Sequence, residues 1–201
     1  MSRQISRTRR RALNLIAALV AILIALLITI RRERAPSGSP TSASPRSVAR
    51  TNLVLVSGRL CLVGQTNGFT GLMEERGDGF LRSRSVLSNG VLHGLSEGWH
   101  TNGQLQVREY FREGVSHGTR TKWYPEGRKL SEASIVEGKL EGPFRRWHEN
   151  GALSEQIEFV ADQPDGVSIS YFPSGFLKAR VVMKTGKLVE QTFWKDGERK
   201  P

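Results

Sequence analysis

The sequence predicts an all-β body, an elongated antiparallel meander of about 24-residue β-hairpin repeats, preceded by one N-terminal transmembrane helix. Three observations carry this prediction. Glycines and aromatics recur with a period of 24 between residues 90 and 175. After residue 50 no stretch sustains a 3.6-residue apolar pattern. Ala12 to Ile30 form nineteen consecutive positions without a charge, which at 1.5 Å per residue span roughly 28 Å, close to the hydrocarbon thickness of a bilayer.

The charge distribution separates these parts. The chain has 201 residues and a formal charge of +11. Residues 1–50 hold ten Arg against one acid, Glu33, and residues 51–201 hold twenty Lys/Arg against eighteen Asp/Glu, so +9 belongs to the front and +2 to the body. Four elements follow: a basic segment (1–11), a signal-anchor helix (12–30), a Pro/Ser-rich linker (31–50) and the repeat domain (51–201). The helix runs straight into Arg31-Arg32-Glu33-Arg34 rather than into a small-x-small site, which favours an uncleaved anchor over a removed signal. Thr8-Arg9-Arg10-Arg11-Ala12-Leu13 also resembles a twin-arginine export signal, with Ala12 where a larger apolar residue is usual. Five Arg precede the helix and three follow it immediately, so the N-terminus is expected in the cytoplasm and the repeat domain outside. Ala35–Arg50 hold three Pro and five Ser, too little apolar surface to offset ordering entropy, and read as a flexible tether.

Within the body, Gly90, Gly114, Gly138 and Gly186 keep the period, with Asp162 in the missing place. Gly94, Gly118, Gly142 and Gly166 keep it too, as do Gly103, Gly127, Gly151 and Gly175, and the aromatics Trp99, Trp123, Trp147 and Tyr171. Units at both ends are degenerate, as the caps of a repeat array are expected to be. Each unit reads as two strands around an aromatic-flanked turn. Asn102-Gly103 alone suggests a type I′ turn, but Pro125 and Pro173 occupy the first turn position in equivalent units. Proline cannot take positive φ, so a type I turn closed by a left-handed Gly, a G1 bulge, fits all four. Alternating Leu153, Ile157 and Phe159, or Leu177, Val181 and Met183, put one face of the second strand in a core. Hairpins joined by short Gly-x-x-x-Gly links give the meander.

The recurring G-x-x-x-G, an aromatic five residues later, then x-N-G or P-x-G, resembles the MORN-repeat variant family, including YwqK-type antitoxin-like repeat proteins. Ser57-Gly58-Arg59-Leu60 through Phe69-Thr70-Gly71 is similar to the N-terminal unit of those proteins. The resemblance covers roughly residues 55–198 and departs from the pattern at Asp162 and at the polar Thr119-Arg120-Thr121. It implies a repeat scaffold and, as an alternative function, an antitoxin or immunity protein.

No constellation in the sequence points to catalysis. His93 and His117 are equivalent, as are His100 and His148, but equivalent residues of successive units lie two strands, roughly 10 Å, apart, too far for easy sharing of one zinc ion. Glu141 and Asp165 take the His93/His117 place in later units. The lone Cys61 stands between Leu60 and Leu62 and reads as a buried small residue. The acids Asp78, Glu126, Asp165 and Asp196 are scattered among turns. Short basic pairs, Arg128-Lys129 and Arg145-Arg146, are offset by glutamates, which argues against nucleic acid. The expectation is a non-enzymatic protein without cofactor or metal.

The aromatic series Trp99, Trp123, Trp147 and Tyr171 is expected to form a structural spine with the turn glycines Gly103, Gly127, Gly151 and Gly175. The neighbouring His100, Tyr124, His148 and Phe172 point to the other face and are the candidate partner-contact row. The function expected is a membrane-anchored, protein-binding scaffold, its partner an envelope protein or a toxin. A module binding envelope lipid or glycan is a further alternative.

Overall fold

The structure, a computed structural model, describes residues 46–198. The basic segment 1–11, the helix 12–30 and the linker as far as residue 45 lie outside the described residues. Among the described residues no helix is long and apolar enough to cross a membrane.

The described chain is built of strands: β1 (Ser47–Ala49), β2 (Leu53–Val56), β3 (Arg59–Leu62), β4 (Gly71–Gly77), β5 (Phe80–Ser88), β6 (Val91–Trp99), β7 (Leu105–Arg112), β8 (Val115–Ser116) and β9 (Gly118–Trp123). Then come β10 (Lys129–Val136), β11 (Lys139–Trp147), β12 (Leu153–Val160), β13 (Gln163–Pro164), β14 (Gly166–Tyr171), β15 (Leu177–Lys184) and β16 (Lys187–Phe193). A single 3-10 turn, Arg50–Asn52, joins β1 to β2. From β4 to β16 the strands follow one another in sequence order and pair antiparallel, with β8 and β9 both on β7 and β13 and β14 both on β12 as two interrupted strands, so the predicted meander is the observed topology. Two features at the N-terminal end differ from the expectation. Ser47–Ala49, assigned to the linker, form β1, which pairs in parallel with β4 because Val48 has an apolar site to fill. The hairpin β2–β3 is a separate two-stranded sheet.

Two kinds of turn alternate along the meander, on opposite edges of the sheet. On one edge lie the aromatic-flanked turns described below. On the other, Asn89-Gly90, Glu113-Gly114, Glu137-Gly138, Ala161-Asp162 and Thr185-Gly186 are two-residue loops between paired strands. Both central residues have positive φ in every one, 50° and 85° at Glu113-Gly114 for example, the signature of a type I′ turn, whose twist matches that of the strands. The expected Gly-x-x-x-Gly link is thus itself a hairpin turn followed by a bulged strand start.

Asp162 shows what the glycine at this place is for. It holds a left-handed φ of 68°, and its N–H donates to the Leu140 carbonyl at 3.0 Å. The same bond runs from Gly114 to Leu92 and from Gly138 to Ser116. Its carboxylate also accepts the Leu140 N–H at 2.6 Å, a bond glycine cannot make, which offsets the strain of the left-handed backbone.

Residues opposite one another in an antiparallel ladder share a face, so the register sorts the two faces. One face holds the buried Ser85, Leu87, Ala133, Ile135 and Ala179. At the N-terminal end the β2–β3 hairpin covers this face, and Leu53, Phe69 and Leu87 form a core with Val48, Leu60, Leu62, Met73 and Leu92 around it. Backbone bonds lock the hairpin in place, Leu60 N–H to the Gly90 carbonyl and Gly90 N–H to the Phe69 carbonyl, each 2.8 Å. A Cβ at Gly68 would stand 2.2 Å from the Asn89 carbonyl carbon, so glycine there is required by close approach.

The opposite face carries a row of charges across the sheet. Glu74 faces Arg84, Arg84 faces Glu97, Glu97 faces Arg108, and further on Glu132 faces Arg145. Arg84 bonds Glu74 at 2.9 Å and Arg108 bonds Glu97 at 2.8 Å. A one-residue slip would move these pairs to the other face and set Leu87 and Ile135 in water. The Arg84 guanidinium, by hydrogen bonding Glu74, holds that carboxyl below its ordinary value of 4.5 against the opposing effect of burial, with Arg76 assisting.

Asp162→Ala loses both the carboxylate bond and tolerance of left-handed φ and should destabilise the sheet by about 2 kcal/mol, whereas Asp162→Gly should be close to neutral; urea unfolding that finds the two equal would contradict the argument. The depressed pKa of Glu74 gives stability that is complete above the ordinary glutamate pKa and is lost as pH falls through the lower folded value. Thermal melts between neutral and acid pH should therefore show a smaller acid loss for Glu74→Gln than for the parent chain.

Candidate functional site

The aromatic-flanked turns occupy residues 100–103, 124–127, 148–151 and 172–175. In each, the fourth residue's N–H donates to the first residue's carbonyl, Gly103 to His100 at 2.9 Å and Gly151 to His148 at 2.8 Å. The first residue's N–H donates to the carbonyl after the glycine, as from His100 to Gln104. Gly103, Gly127, Gly151 and Gly175 have φ of 83° to 88°, and all four hairpins show a one-residue register shift at the aromatic, Trp99, Trp123, Trp147 or Tyr171. The predicted type I turn with a G1 bulge is present in all four units.

Side chains of these turns tie each unit to the next. His100 Nε2 lies 3.0 Å from the Trp123 carbonyl and His148 Nε2 lies 3.0 Å from the Tyr171 carbonyl. A carbonyl only accepts, so these ring nitrogens donate. Tyr124 donates its hydroxyl proton to the Trp147 carbonyl at 2.9 Å. Phe172 has no polar tip, and the Lys178 ammonium sits 5.8 Å from its ring centroid. Three of the four residues of the candidate contact row are therefore half-buried struts between units. Asn102 and Asn150 act alongside them: each amide donates to a proline carbonyl of the next turn, Pro125 or Pro173, at 2.7 Å. Each Asn Oδ1 also accepts a backbone N–H of its own turn at 3.0 Å.

Trp99, Trp123, Trp147 and Tyr171 lie on the charged face rather than the buried one. They are half-buried, and cations of the charged row cover two of them, Arg108 at 5.9 Å from the Trp123 ring and Lys129 at 5.2 Å from that of Trp147. The row works as a cation-covered margin, and the buried core of Leu53, Phe69 and Leu87 lies elsewhere.

A cleft of about 450 Å³ opens where β7 meets β9. The two strands pair directly at only Val107–Lys122 and Arg108–Thr121, because β8 and the left-handed Gly118 (φ 90°) interrupt the strand between them. Val107, Lys122, Trp123, Tyr124, Pro125 and Leu130 contribute to its walls, with His100 and Gln106 beside them. Arg120 and Glu109 are bonded to one another at its margin, and Ser116 donates to the same carboxylate. Among the described residues Lys122 makes no ion pair. The cleft thus offers aromatic and aliphatic walls with one free ammonium group, a surface suited to binding. His100, Trp123 and Tyr124 of the predicted residues meet there; Trp99, Trp147, Tyr171, His148 and Phe172 do not.

The remaining candidates are dispersed. His93 Nδ1 accepts the Glu113 N–H at 3.4 Å, and the equivalent Glu141 accepts the Ala161 N–H at 2.8 Å. His117 lines a separate surface depression with Arg112, Glu113 and Glu137. Cys61 is fully buried, its thiol against the Thr66 carbonyl at 3.4 Å. Among the described residues no group of three metal-ligating side chains converges.

These contacts expose an alternation that the 24-residue period conceals. Units with His-x-Asn-Gly turns start on one continuous strand, β6 or β11, and alternate with units having aromatic-Pro-x-Gly turns and a broken first strand, β8–β9 or β13–β14. His100 and His148, Asn102 and Asn150, and the capped turns at Glu113 and Ala161 all recur at 48 residues. Pro125 and Pro173 at the second turn position, where the other units have Thr101 and Glu149, and Asn102 and Asn150 at the third, where the others have Glu126 and Ser174, are the signal for this double unit in the sequence.

The comparison with known families finds the same spacing. The family described as MORN repeat variant matches residues 92–113 and 140–161, which begin 48 residues apart and cover β6–β7 and β11–β12, the two His-Asn units. No curated protein matches the chain. The chain carries MORN variant repeats at these two places, within an array of hairpins built to one plan.

Proposed function

We propose that this protein is a non-catalytic, membrane-anchored repeat scaffold whose sheet holds another protein. The supporting observation is the division of labour among its polar side chains. The turn histidines, asparagines and Tyr124 are consumed in joining units, which stiffens the array, while the β7/β9 cleft keeps Lys122 and the walls formed by Val107 and Leu130 open. A rigid surface with an apolar recess and a single cation is what a protein side chain docks into at low entropic cost. The uncharged run 12–30, flanked by arginines, supplies the anchor, with the repeat domain outside the cytoplasm.

A photo-crosslinking amino acid placed at Lys122 of the full chain in its native cells should give one discrete protein adduct, and the same probe at the distant Lys184 should not. Adducts to lipid or glycan alone, or equal labelling from both sites, would overturn the reading. An antitoxin function, implied by the resemblance, would appear as an adduct to a toxin. A reporter fused after Pro201 should be active only in its exported form if the domain lies outside.

A further inference from the structure

The two ends of the large sheet are finished differently. At the N-terminal end β1 pairs with the outer side of β4, and the β2–β3 hairpin covers the adjoining core. At the other end, among the described residues, no strand pairs with the outer side of β16. All seven of its residues are exposed, with Leu188 at 54 %, Val189 at 63 % and Phe193 at 65 %. Edge strands that stay single are normally short, charged, bulged or interrupted by proline, because a free edge templates pairing; β16 runs seven residues without proline, the one charge from Val189 to Phe193, Glu190, is bonded to Arg180 of its own chain, and a single bulge lies at Val189.

We propose that β16 pairs antiparallel with β16 of a second copy of this chain, on a two-fold axis at Gln191. The backbone fixes which groups are free. Trp194 N–H donates to the Lys178 carbonyl at 3.0 Å, and Ala179 stands opposite Phe193. Phe193 is therefore a non-hydrogen-bonded pair with Ala179, Thr192 turns its N–H and C=O toward β15, and Gln191 and Phe193 turn theirs outward. With the axis at Gln191, the outward groups of the two Gln191 residues bond reciprocally, and Phe193 stands opposite the bulge at Val189 of the second copy. The most exposed apolar residues of the two strands then cover each other, and Glu190 faces Thr192. Centring on Glu190 instead would set two carboxylates opposite one another, which is destabilising. Glu190 stays bonded to Arg180 at 3.0 Å in its own chain, so the pairing removes no existing contact.

The test is disulfide trapping in the full chain, with Glu190, Gln191 and Thr192 replaced by Cys one at a time. Cys61 is 0 % exposed and leaves the parent chain as a blank. A disulfide needs Cα atoms within about 7 Å. Only a residue on the axis meets its own copy directly, since positions one residue away meet theirs on a diagonal of about 7–8 Å. Gln191→Cys should form at least about tenfold more disulfide dimer than Glu190→Cys or Thr192→Cys. Phe193→Lys, at a site already exposed, should lower the dimer fraction of the otherwise native chain in sedimentation without changing its melting temperature. A parent chain that sediments as a monomer, equal trapping at the three positions, or an edge found occupied by a different protein would each overturn the proposal.

Discussion

The sheet depends on one backbone constraint, a left-handed residue at each turn of the meander. On one edge Gly103, Gly127, Gly151 and Gly175 close type I turns, and on the other, pairs such as Glu113-Gly114 take positive φ together. Positive φ costs an L-residue roughly 1–2 kcal/mol, and glycine almost nothing. Glycine placed every 24 residues therefore sets where the chain can reverse, and strand length follows from the spacing between reversals. The same turns then bond unit to unit, through Gly114 to Leu92 on one edge and through His100, Tyr124 and His148 to the next unit's carbonyls on the other. Curvature and register are inherited along the array because every unit repeats the same two reversals.

With reversal points set, the faces follow from side-chain parity. The apolar residues Leu87, Ala133, Ile135 and Ala179 share one face, and the Glu–Arg row marks the other. Among the described residues the apolar face of the large sheet is covered by a second sheet only at its N-terminal end, where the β2–β3 hairpin lies. Farther along, Phe144 and Phe159 meet edge to face at 6.1 Å on the same side, burying part of that face by side-chain contact alone. Stability is thus spread thinly and depends on neighbours, as in repeat proteins generally.

Much of this was legible in the residues because it is local. The G1 turns followed from Pro125 and Pro173, which exclude a primed turn, and the alternation in Leu153, Ile157 and Phe159 gave the buried side. The type I′ turns were harder to see, since Glu113, Glu137 and Ala161 are not residues that announce positive φ; the pairing on either side imposes it. The roles of His100, Tyr124 and His148 were also hidden. Parity places them on a face, but their partners are carbonyls of the next unit, which have no sequence signature. Val48 reads as part of a tether in the sequence because one apolar residue among serines and prolines shows no period, and only the edge of β4 gives it a place.

What the sequence by itself determined is the strand-turn repeat, since turn chemistry and two-residue periodicity act within a hairpin and need no distant contact. It also determined the separation of the arginine-rich front from a nearly neutral body. The tertiary structure decided how units differ in use. It paired Asn102 with Pro125 and Asn150 with Pro173, turning a 24-residue period into a 48-residue double unit. It opened the β7/β9 cleft where Gly118 breaks a strand, closed one end of the sheet with β1 and the hairpin, and left β16 exposed at the other. These outcomes depend on which backbone groups remain unpaired once neighbouring strands have met, and that is a property of the assembled sheet.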